Sequence, residues 1–402
     1  MITDRTYVLQ FDGRKHDELQ AFTHHKEIGC NVQTDIRGIY FVKNGPLKVL
    51  TLGGGSGQYT LLSGLRDIQN MEITAVASMA DNGGSTGRLR EELGVLPPGD
   101  ILKCAIALSP FREAAKKIML KTLKGDKRIQ GHKAGNLLIA MLSSYTGSFP
   151  AAIQTLSEIL EVSGRVLPGT TNKSTLVAEL VDGSRVYGES AIDIPQNEHR
   201  EHIKDIFLVP HHNGTISAYP PAVKAIKESD VILIGPGDLF TSIIASLIIP
   251  GIKPAIKNTN AKIFYILNIM TKYGETHNFK GIDFIEKVES YLGRQVDGII
   301  CNKTRPNKML LNKYQEENSE FVEIEELEKR IAKQSIYSDD LLDASVDTVR
   351  HDSKKLAGLV KSIILNEHFF ECRKLTNDPI LMQFLLKDSA KMPIKDESLK
   401  VL

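Results

Sequence analysis

Cysteines and long apolar runs are scarce in this 402-residue chain. Its four cysteines lie far apart without a C-x-x-C pair, which excludes a zinc knuckle or a disulfide scaffold and predicts buried, reduced thiols. No run approaches the roughly 20 apolar residues that a bilayer span needs, and the N-terminus lacks a basic segment followed by an apolar core. We therefore expect a cytoplasmic protein without a membrane span.

An excess of charge of either sign is also missing. The 50 basic and 49 acidic residues leave a formal net charge of +1, which argues against nucleic acid or an anionic membrane as the main partner. A Ser-His-acid arrangement and a glycine-flanked hydrolase nucleophile are not evident either. We assign no catalytic residue and no metal ligand from the sequence.

Two glycine-rich turns, each directly after an apolar strand-like run, are the main positive signal. The first is GGGSG at residues 53–57, which precedes leucines at helical spacing. Glycines there allow close approach of a ligand, and the free N–H groups of a helix start favour phosphate. The dinucleotide fingerprint is not met, since Gln58 stands where it needs Gly, and no Gly-Lys-Ser/Thr sequence is present. A structural turn without a ligand is the alternative.

The second turn, residues 80–88, follows the next strand and should deliver Asp81 and Asn82 to the same sheet edge. Serine, threonine and arginine side chains there suit phosphate oxygens. A third turn, residues 235–238, leads to Thr241 and Ser242 at the next helix start, which favours a further phosphate or sugar contact over an ordinary tight turn. The predicted ligand-binding residues are Gly54, Gly55, Ser56, Gly57, Asp81, Asn82, Gly83, Gly84, Ser85, Arg88, Asn136, Gly235, Pro236, Gly237, Asp238 and Ser242.

The fold class follows from short apolar runs of the kind that parallel sheets bury on both faces. They include residues 205–209, 231–234, 263–267 and 298–301, and helix-like stretches separate several of them. The prediction is an α/β fold with a doubly wound, mostly parallel Rossmann-like sheet and its ligand at the carboxyl ends of the strands. The turn at residues 268–276 should line the same crevice.

The domain prediction has three parts. Residues 47–366 form the Rossmann-like domain, with a small antiparallel β insert at about 164–194 that contains the hairpin signal Asp182-Gly183. Residues 1–46 are an N-terminal extension that adds an edge strand or a small cap, and residues 367–402 are a C-terminal tail. We assign no function to either extension.

The motifs resemble those of the gluconeogenesis-factor (YvcK-like) proteins of bacteria, which are distantly related to 2-phospho-L-lactate transferase (CofD-like). The resemblance runs from about residue 47 to about residue 365. It rests on GGGSG (53–57), ADNGGSTGRLR (80–90), LPPGDI (96–101), GHKAGNLL (131–138), GRVLP (164–168), GPGDLFTS (235–242) and VRHD (349–352). Asn82 stands where the family usually has a second Asp, which weakens a scheme with an acidic pair that holds Mg²⁺. Ser56 replaces a Thr, and Asp238 lies where the family more often has Ser.

This resemblance implies a nucleotide-sugar ligand, UDP-N-acetylglucosamine or a related nucleotide. It also implies a regulatory role in directing carbon toward cell-envelope precursors and morphogenesis on gluconeogenic carbon sources. The first turn would hold the diphosphate, Asp81 and Asn82 would bond ribose or sugar hydroxyls, and the Gly235 turn would close over the nucleotide. We also expect a homo-oligomer, and an amino-sugar biosynthetic enzyme is a candidate partner.

Two alternatives stay open. One is a transferase of deazaflavin coenzyme synthesis that uses a nucleotide-activated substrate, and only this alternative calls for Mg²⁺ as a cofactor. The other is a scaffold whose glycine turns serve folding alone. Selective nucleotide-sugar binding without turnover separates the regulator from both.

Overall fold

The computed structural model describes residues 22–25, 30–35, 38–43, 46–125, 129–195, 199–211, 214–324, 327, 335–343, 345 and 347–375, with side chains described between residues 46 and 364. The chain divides into two compact units. One unit comprises residues 47–361, and the other comprises residues 1–46 and 362–402.

A seven-stranded parallel sheet is the centre of the larger unit. Its strands are β4 (Leu47–Gly53), β5 (Met71–Ala77), β6 (Arg165–Pro168), β10 (Val231–Ile234), β11 (Lys262–Ile266), β12 (Gly298–Asn302) and β13 (Ser335–Asp339). Their order is β13-β12-β11-β10-β4-β5-β6. After β4 the chain adds strands toward one edge of the sheet, and from β10 onward it adds them toward the other edge. Open α/β sheets bind ligands at the point where the strand order changes direction in this way.

Helices connect these strands in the alternation typical of doubly wound sheets. They are α1 (Gly55–Leu65), α2 (Gly84–Leu93), α3 (Gly99–Leu108), α4 (Arg112–Met119), α5 (Ala134–Thr146), α6 (Phe149–Ile159), α7 (Glu189–Asp193), α8 (Pro220–Glu228), α9 (Ala245–Leu247), α10 (Ile252–Lys257), α11 (Gly281–Leu292), α12 (Lys308–Glu316) and α13 (Ser353–Leu375). A π-helical segment, Leu239–Ile244, runs directly into α9.

The central strands are buried on both faces, as their unbroken apolar sequences predict. All four residues of β10 and all five of β12 are buried. This arrangement confirms the predicted α/β fold with a mostly parallel sheet. Among the described residues, the structure contains no helix with the length and apolar character of a membrane span.

A second, antiparallel sheet of three strands confirms the predicted β insert and its hairpin at Asp182-Gly183, although the third strand lies beyond the predicted bounds. It consists of β7 (Ser174–Leu180), β8 (Arg185–Tyr187) and β9 (Ile203–Pro210), in the order β8-β7-β9. The hairpin turn at Gly183 has φ +84°, which glycine adopts without strain.

Two assignments of strands to sheets were wrong. Residues 165–168, which the prediction placed in the insert, form the edge strand β6 of the parallel sheet and pair with β5. Residues 205–209, predicted as a parallel strand, belong to β9 and pair with β7 in the antiparallel sheet. Only Ile203 and Ile206 of β9 are buried, in contrast to the continuous burial of the central parallel strands.

The smaller unit contains a three-stranded antiparallel sheet, β1 (Phe22–His25), β2 (Cys30–Asp35) and β3 (Gly38–Lys43). Strand β3, which lies in the predicted N-terminal extension, pairs with β2. The tail from residue 376 onward lies outside the described residues.

Candidate functional site

The first and third glycine turns meet at the carboxyl ends of β4 and β10. A Cβ atom on Gly57 would lie 2.2 Å from the backbone oxygen of Pro236, so only glycine allows the two turns to approach so closely. Gly235 has φ +80°, a conformation that also favours glycine. The turns border a cavity of about 390 Å³, which we call the switch-point cavity.

Eight of the sixteen predicted ligand-binding residues line the switch-point cavity. They are Gly54, Gly55, Ser56, Gly57, Pro236, Gly237, Asp238 and Ser242. Of the turn predicted at residues 268–276, residues 268–272 also line it, and the amide of Asn268 donates a 2.9 Å hydrogen bond to the carbonyl of Gly237. The predicted convergence of these turns is therefore present in the geometry.

Residues from later in the chain complete the wall opposite the glycine turns. They are Tyr314, Glu317, Ser319, Val349, Arg350 and His351. The last three belong to the VRHD motif, which the resemblance singled out without a role. Sequence reasoning missed the first three, because no local pattern shows that α12 and the segment after it reach this edge.

The start of α1 offers backbone donors to a ligand. Helix α1 begins at Gly55, and within residues 46–125 no side chain caps it. The first N–H groups of a helix have no intrahelical acceptor, and the positive end of the helix dipole lies there. The segment 55–57 therefore presents N–H groups to the cavity, in the manner of an anion-binding helix start.

The third turn differs from the first in that a buried carboxylate accepts hydrogen bonds from the first N–H groups of the helical segment that follows it. Oε2 of Glu275 accepts hydrogen bonds from the backbone N–H groups of Phe240 (2.9 Å) and Thr241 (3.3 Å). Oε1 of Glu275 accepts a 2.9 Å hydrogen bond from the Thr241 hydroxyl. Thr241 is thus engaged within the protein, whereas Ser242 lines the cavity.

Lys272 lies among three carboxylates at the cavity wall. Its ammonium pairs with Asp193 of α7, with Asp238 at 3.1 Å and with Glu275 at 4.0 Å. Burial lowers the pKa of Lys272, but the carboxylates outweigh this effect and hold the pKa above its ordinary value. Burial, and then the charge of Asp238, raises the pKa of Glu275.

The ligand oxygens of Asp193, Asp238 and Glu275 lie within 4.8 Å of one another, close enough to share a metal ion. Lys272 already supplies a positive charge to all three. One ammonium group offsets only part of the charge of three carboxylates, and burial raises the pKa values of Asp238 and Glu275 in the same cluster.

The second glycine turn lies beside the switch-point cavity and does not line it. Its residues bond mainly within the protein: Oγ of Ser85 accepts from the backbone of Lys133 and from Asn136, and Oδ1 of Asn82 accepts from the backbone of Ser190. The Arg88 guanidinium donates to a backbone carbonyl at 2.6 Å. The seven predicted residues that belong to this turn or bond to it do not line the switch-point cavity: Asp81, Asn82, Gly83, Gly84, Ser85, Arg88 and Asn136.

A second carboxylate joins Asp81, although the Asp81-Asn82 sequence offers only one. Asp100, at the start of α3, lies close enough that burial and then its charge raise the pKa of Asp81. Asp100 also reaches the first turn, since a Cβ on Gly54 would lie 2.5 Å from its Oδ2 atom. Lys103 pairs with Asp100 at 3.0 Å. The LPPGDI motif therefore supplies the acidic partner that Asn82 cannot provide.

Glu189 of α7 connects this acidic pair with the lysine cluster. Burial, and then the charges of Asp81 and Asp193, raises the pKa of Glu189 to about 7. A Cβ on Gly83 would lie 3.9 Å from Oε2 of Glu189. Helix α7 thus places one carboxylate near each half of the predicted site.

Comparison with known proteins decides the family. The family model described as 2-phospho-L-lactate transferase CofD matches residues 49–342, most of the chain. The chain therefore belongs to the CofD family. The match includes the strands that border the switch-point cavity.

Curated members of this family include proteins named gluconeogenesis factors. A putative gluconeogenesis factor of Thermotoga maritima is 39% identical over 79% of this chain and 99% of its own length. The gluconeogenesis factor of Bacillus subtilis is 34% identical over 79% of this chain and 98% of its own length. A crystal structure of a Bacillus halodurans protein is similar, with a TM-score of 0.73 and 34% identity over 78% of this chain and 99% of that one.

Proposed function

We propose that this CofD-family protein is a gluconeogenesis factor that binds UDP-N-acetylglucosamine and regulates carbon flux toward cell-envelope precursors and cell morphogenesis. The observation that carries the proposal is the meeting of two glycine turns and an uncapped helix start at the switch-point cavity. The names of the relatives from T. maritima and B. subtilis support the regulatory role. The choice of this nucleotide sugar rests on the resemblance of the motifs.

In this proposal, the N–H groups of residues 55–57 hold the diphosphate, since a helix start is suited to anions. The nucleoside lies toward Asn268, Tyr314 and Arg350, which offer amide, phenol and guanidinium groups. Asp81 bonds a sugar hydroxyl. The side-chain oxygen of Asn82 accepts from Ser190, so the predicted contact of Asn82 with a ribose or sugar hydroxyl would come from its amide group.

Calorimetric titration with UDP-N-acetylglucosamine tests the proposal, with UDP, a nucleoside triphosphate and NAD as comparators. We expect selective binding in the presence of EDTA as well as Mg²⁺, because the proposal assigns the diphosphate to backbone N–H groups of the α1 start and not to a metal ion. Ser56→Ala and Asp81→Asn should weaken binding, whereas Ser144→Ala, at an exposed position of α5, should not. Unchanged affinity in both site variants would refute the proposed site.

A second candidate function is phosphoryl-group transfer, which two observations favour. The matching family model is named for a transferase, and Asp81 and Asp100 form the carboxylate pair that the sequence did not predict. These two side chains would hold Mg²⁺, a cation that prefers oxygen ligands and would neutralise phosphate charge. Metal-dependent consumption of a nucleotide-linked substrate with a deazaflavin acceptor would establish this function in place of the regulator.

The regulatory proposal also includes self-association and contact with an amino-sugar biosynthetic enzyme. Light scattering of the purified protein measures its oligomeric state. Co-purification of the two proteins with and without UDP-N-acetylglucosamine measures the contact. A contact that does not respond to the nucleotide sugar would contradict a sensing role.

A further inference from the structure

Charges of each sign are concentrated in separate segments, although the chain as a whole is nearly neutral. Residues 112–133 contain eight basic and two acidic residues. Residues 316–328 contain seven acidic residues and no basic one. Segments with an excess of one charge repel themselves and commonly bind a partner of the opposite charge. The formal net charge of +1 is therefore a balance between segments of opposite sign.

The basic segment has an exposed helix face that the described part of the chain leaves uncovered. Helix α4 packs against α3 and α5, and Ala115 is its one buried residue. Lys117 and Lys121 are exposed and form no ion pair with a described residue. Ile118, which lies between them in the sequence, is 66% exposed. We call Lys117, Ile118 and Lys121 the basic surface.

The acidic segment has a similar arrangement at the end of α12. Glu316 and Glu320 are exposed, and neither pairs with a cation among the described residues. Met309, two turns before Glu316 on the same face of the helix, is 75% exposed. Glu323 is already occupied, since it pairs with Arg305 at 2.6 Å. We call Met309, Glu316 and Glu320 the acidic surface.

The two surfaces belong to opposite ends of the parallel sheet. Helix α4 lies in the connection between β5 and β6, at one end of the strand order, whereas α12 connects β12 and β13 at the other end. Lys116, beside the basic surface, lies over the ring of Tyr59 of α1 at 5.5 Å. The backbone N–H of Glu320 instead donates a 2.7 Å hydrogen bond to Oγ1 of Thr271, after β11. The charge that each surface lacks is therefore available from another copy of the chain.

We propose that the basic surface of one copy of this chain docks on the acidic surface of a second copy. Lysine and glutamate side chains pair across the contact, and Ile118 and Met309 add apolar area. Because the two surfaces differ, the contact is heterologous and builds a ring or a chain of copies. It names the surfaces for the self-association considered above, and it requires no nucleotide.

Analytical ultracentrifugation of the full chain without nucleotide tests the contact. The protein should self-associate at about 0.1 M salt, and the association constant should fall at least about tenfold in about 1 M salt. The reason is that the screening length shortens from about 10 Å to about 3 Å over this range. A protein that stays monomeric at the lower salt concentration would overturn the proposal.

Charge reversal separates this contact from other causes of association. Lys117→Glu with Lys121→Glu should weaken self-association at least about tenfold, because like charges then face one another. Glu316→Lys with Glu320→Lys should do the same from the other side of the contact. The four substitutions combined place opposite charges together again, so self-association should return. Recovery in the combined variant would not arise from misfolding.

Lys224→Glu with Lys227→Glu is the matched control, since it makes the same charge change at exposed positions of α8 and should leave self-association unchanged. Association that either reversed pair leaves unchanged, or that the combined variant does not recover, would contradict the proposal. Binding of heparin or anionic vesicles by a monomeric protein would give the basic surface a different occupant and would also overturn it. Neither surface lines the switch-point cavity, so titration of the same variants with UDP-N-acetylglucosamine reports on the proposed function separately.

Discussion

Gly57 is the residue at which the first and third glycine turns, which both line the switch-point cavity, touch. A Cβ atom on this residue would lie 2.2 Å from the backbone oxygen of Pro236, so there is no space for a side chain. Gly54 is restricted in a similar way, because a Cβ atom on it would lie 2.5 Å from a carboxylate oxygen of Asp100. These glycines thus allow close contact between segments far apart in sequence, and in the proposed function they also leave space for the ligand.

We expect Gly57→Ala to lower the free energy of unfolding by about 1–3 kcal/mol, the usual cost of an overpacked site, and to abolish nucleotide-sugar binding. Urea denaturation and calorimetry measure the two effects. Gly358→Ala is the matched control, since nothing described lies within 4 Å of its Cβ position and an alanine stabilises a helix interior. Equal stability losses in the two variants would contradict the packing argument.

His351 provides a pH-dependent prediction at the same scale. Burial lowers the pKa of this ring to about 4, against an ordinary value of 6.5. The unfolded chain therefore binds more protons than the folded one between these values, and stability is lost as the pH falls from about 6.5 toward 4. The contribution is at most about 3 kcal/mol.

We expect His351→Gln to flatten the decrease in stability between pH 7 and pH 5. Urea denaturation at several pH values measures this slope for the variant and for the natural protein. His199→Gln is the control, because His199 is exposed and should leave the slope unchanged. An identical slope in His351→Gln would show that another group causes the acid sensitivity.

At the scale of elements, the short helix α7 of the insert is tied to the parallel sheet by charge. Asp193 of α7 pairs with Lys272, which follows β11. Asp238, at the end of the third turn, shares the same ammonium group. Three elements distant in sequence therefore meet at one cation on the cavity wall.

Removal of one carboxylate from this cluster should make the cavity more favourable for a diphosphate. We expect Asp193→Asn to strengthen UDP-N-acetylglucosamine binding about two- to fivefold, as a partly exposed charge pair allows. Asp182→Asn is the control, because it makes the same charge change in the exposed hairpin of the same insert and should leave the affinity for UDP-N-acetylglucosamine unchanged. Calorimetry of both variants decides, and weaker binding in Asp193→Asn would show that the ion pair holds the site in its binding conformation.

For the whole molecule, the proposed ligand at the switch-point cavity would contact both halves of the sheet. The first turn follows β4 and the third follows β10. These strands are adjacent and parallel, but each begins a different half of the sheet. A ligand that binds only the folded state stabilises it by mass action.

We expect UDP-N-acetylglucosamine at about 100 times its dissociation constant to add about 2.7 kcal/mol to the stability and to raise the thermal midpoint. Differential scanning calorimetry measures the midpoint, with N-acetylglucosamine without the nucleotide as the control. A midpoint that rises equally with the sugar alone would place the main contacts outside the diphosphate turns.

Most of the fold could be predicted from the sequence, because buried parallel strands have unbroken apolar runs and glycine turns mark their carboxyl ends. The runs that became β10, β11 and β12 were predicted in this way. Residues 165–168 and 205–209 were assigned to the wrong sheets, since a short apolar run does not reveal its pairing partner. Pairing depends on contacts between distant segments.

The sequence by itself determined the strand-turn-helix units, the glycines that a close approach requires, and the motifs shared with the CofD family. Only the tertiary structure decided which turns share a cavity. It placed the first and third turns at one cavity, left the second turn next to that cavity, and brought Asp100 to Asp81 and Lys272 to its three carboxylates. The physical reason is that local backbone preferences act within a few residues, whereas burial and charge pairing select partners across the whole chain.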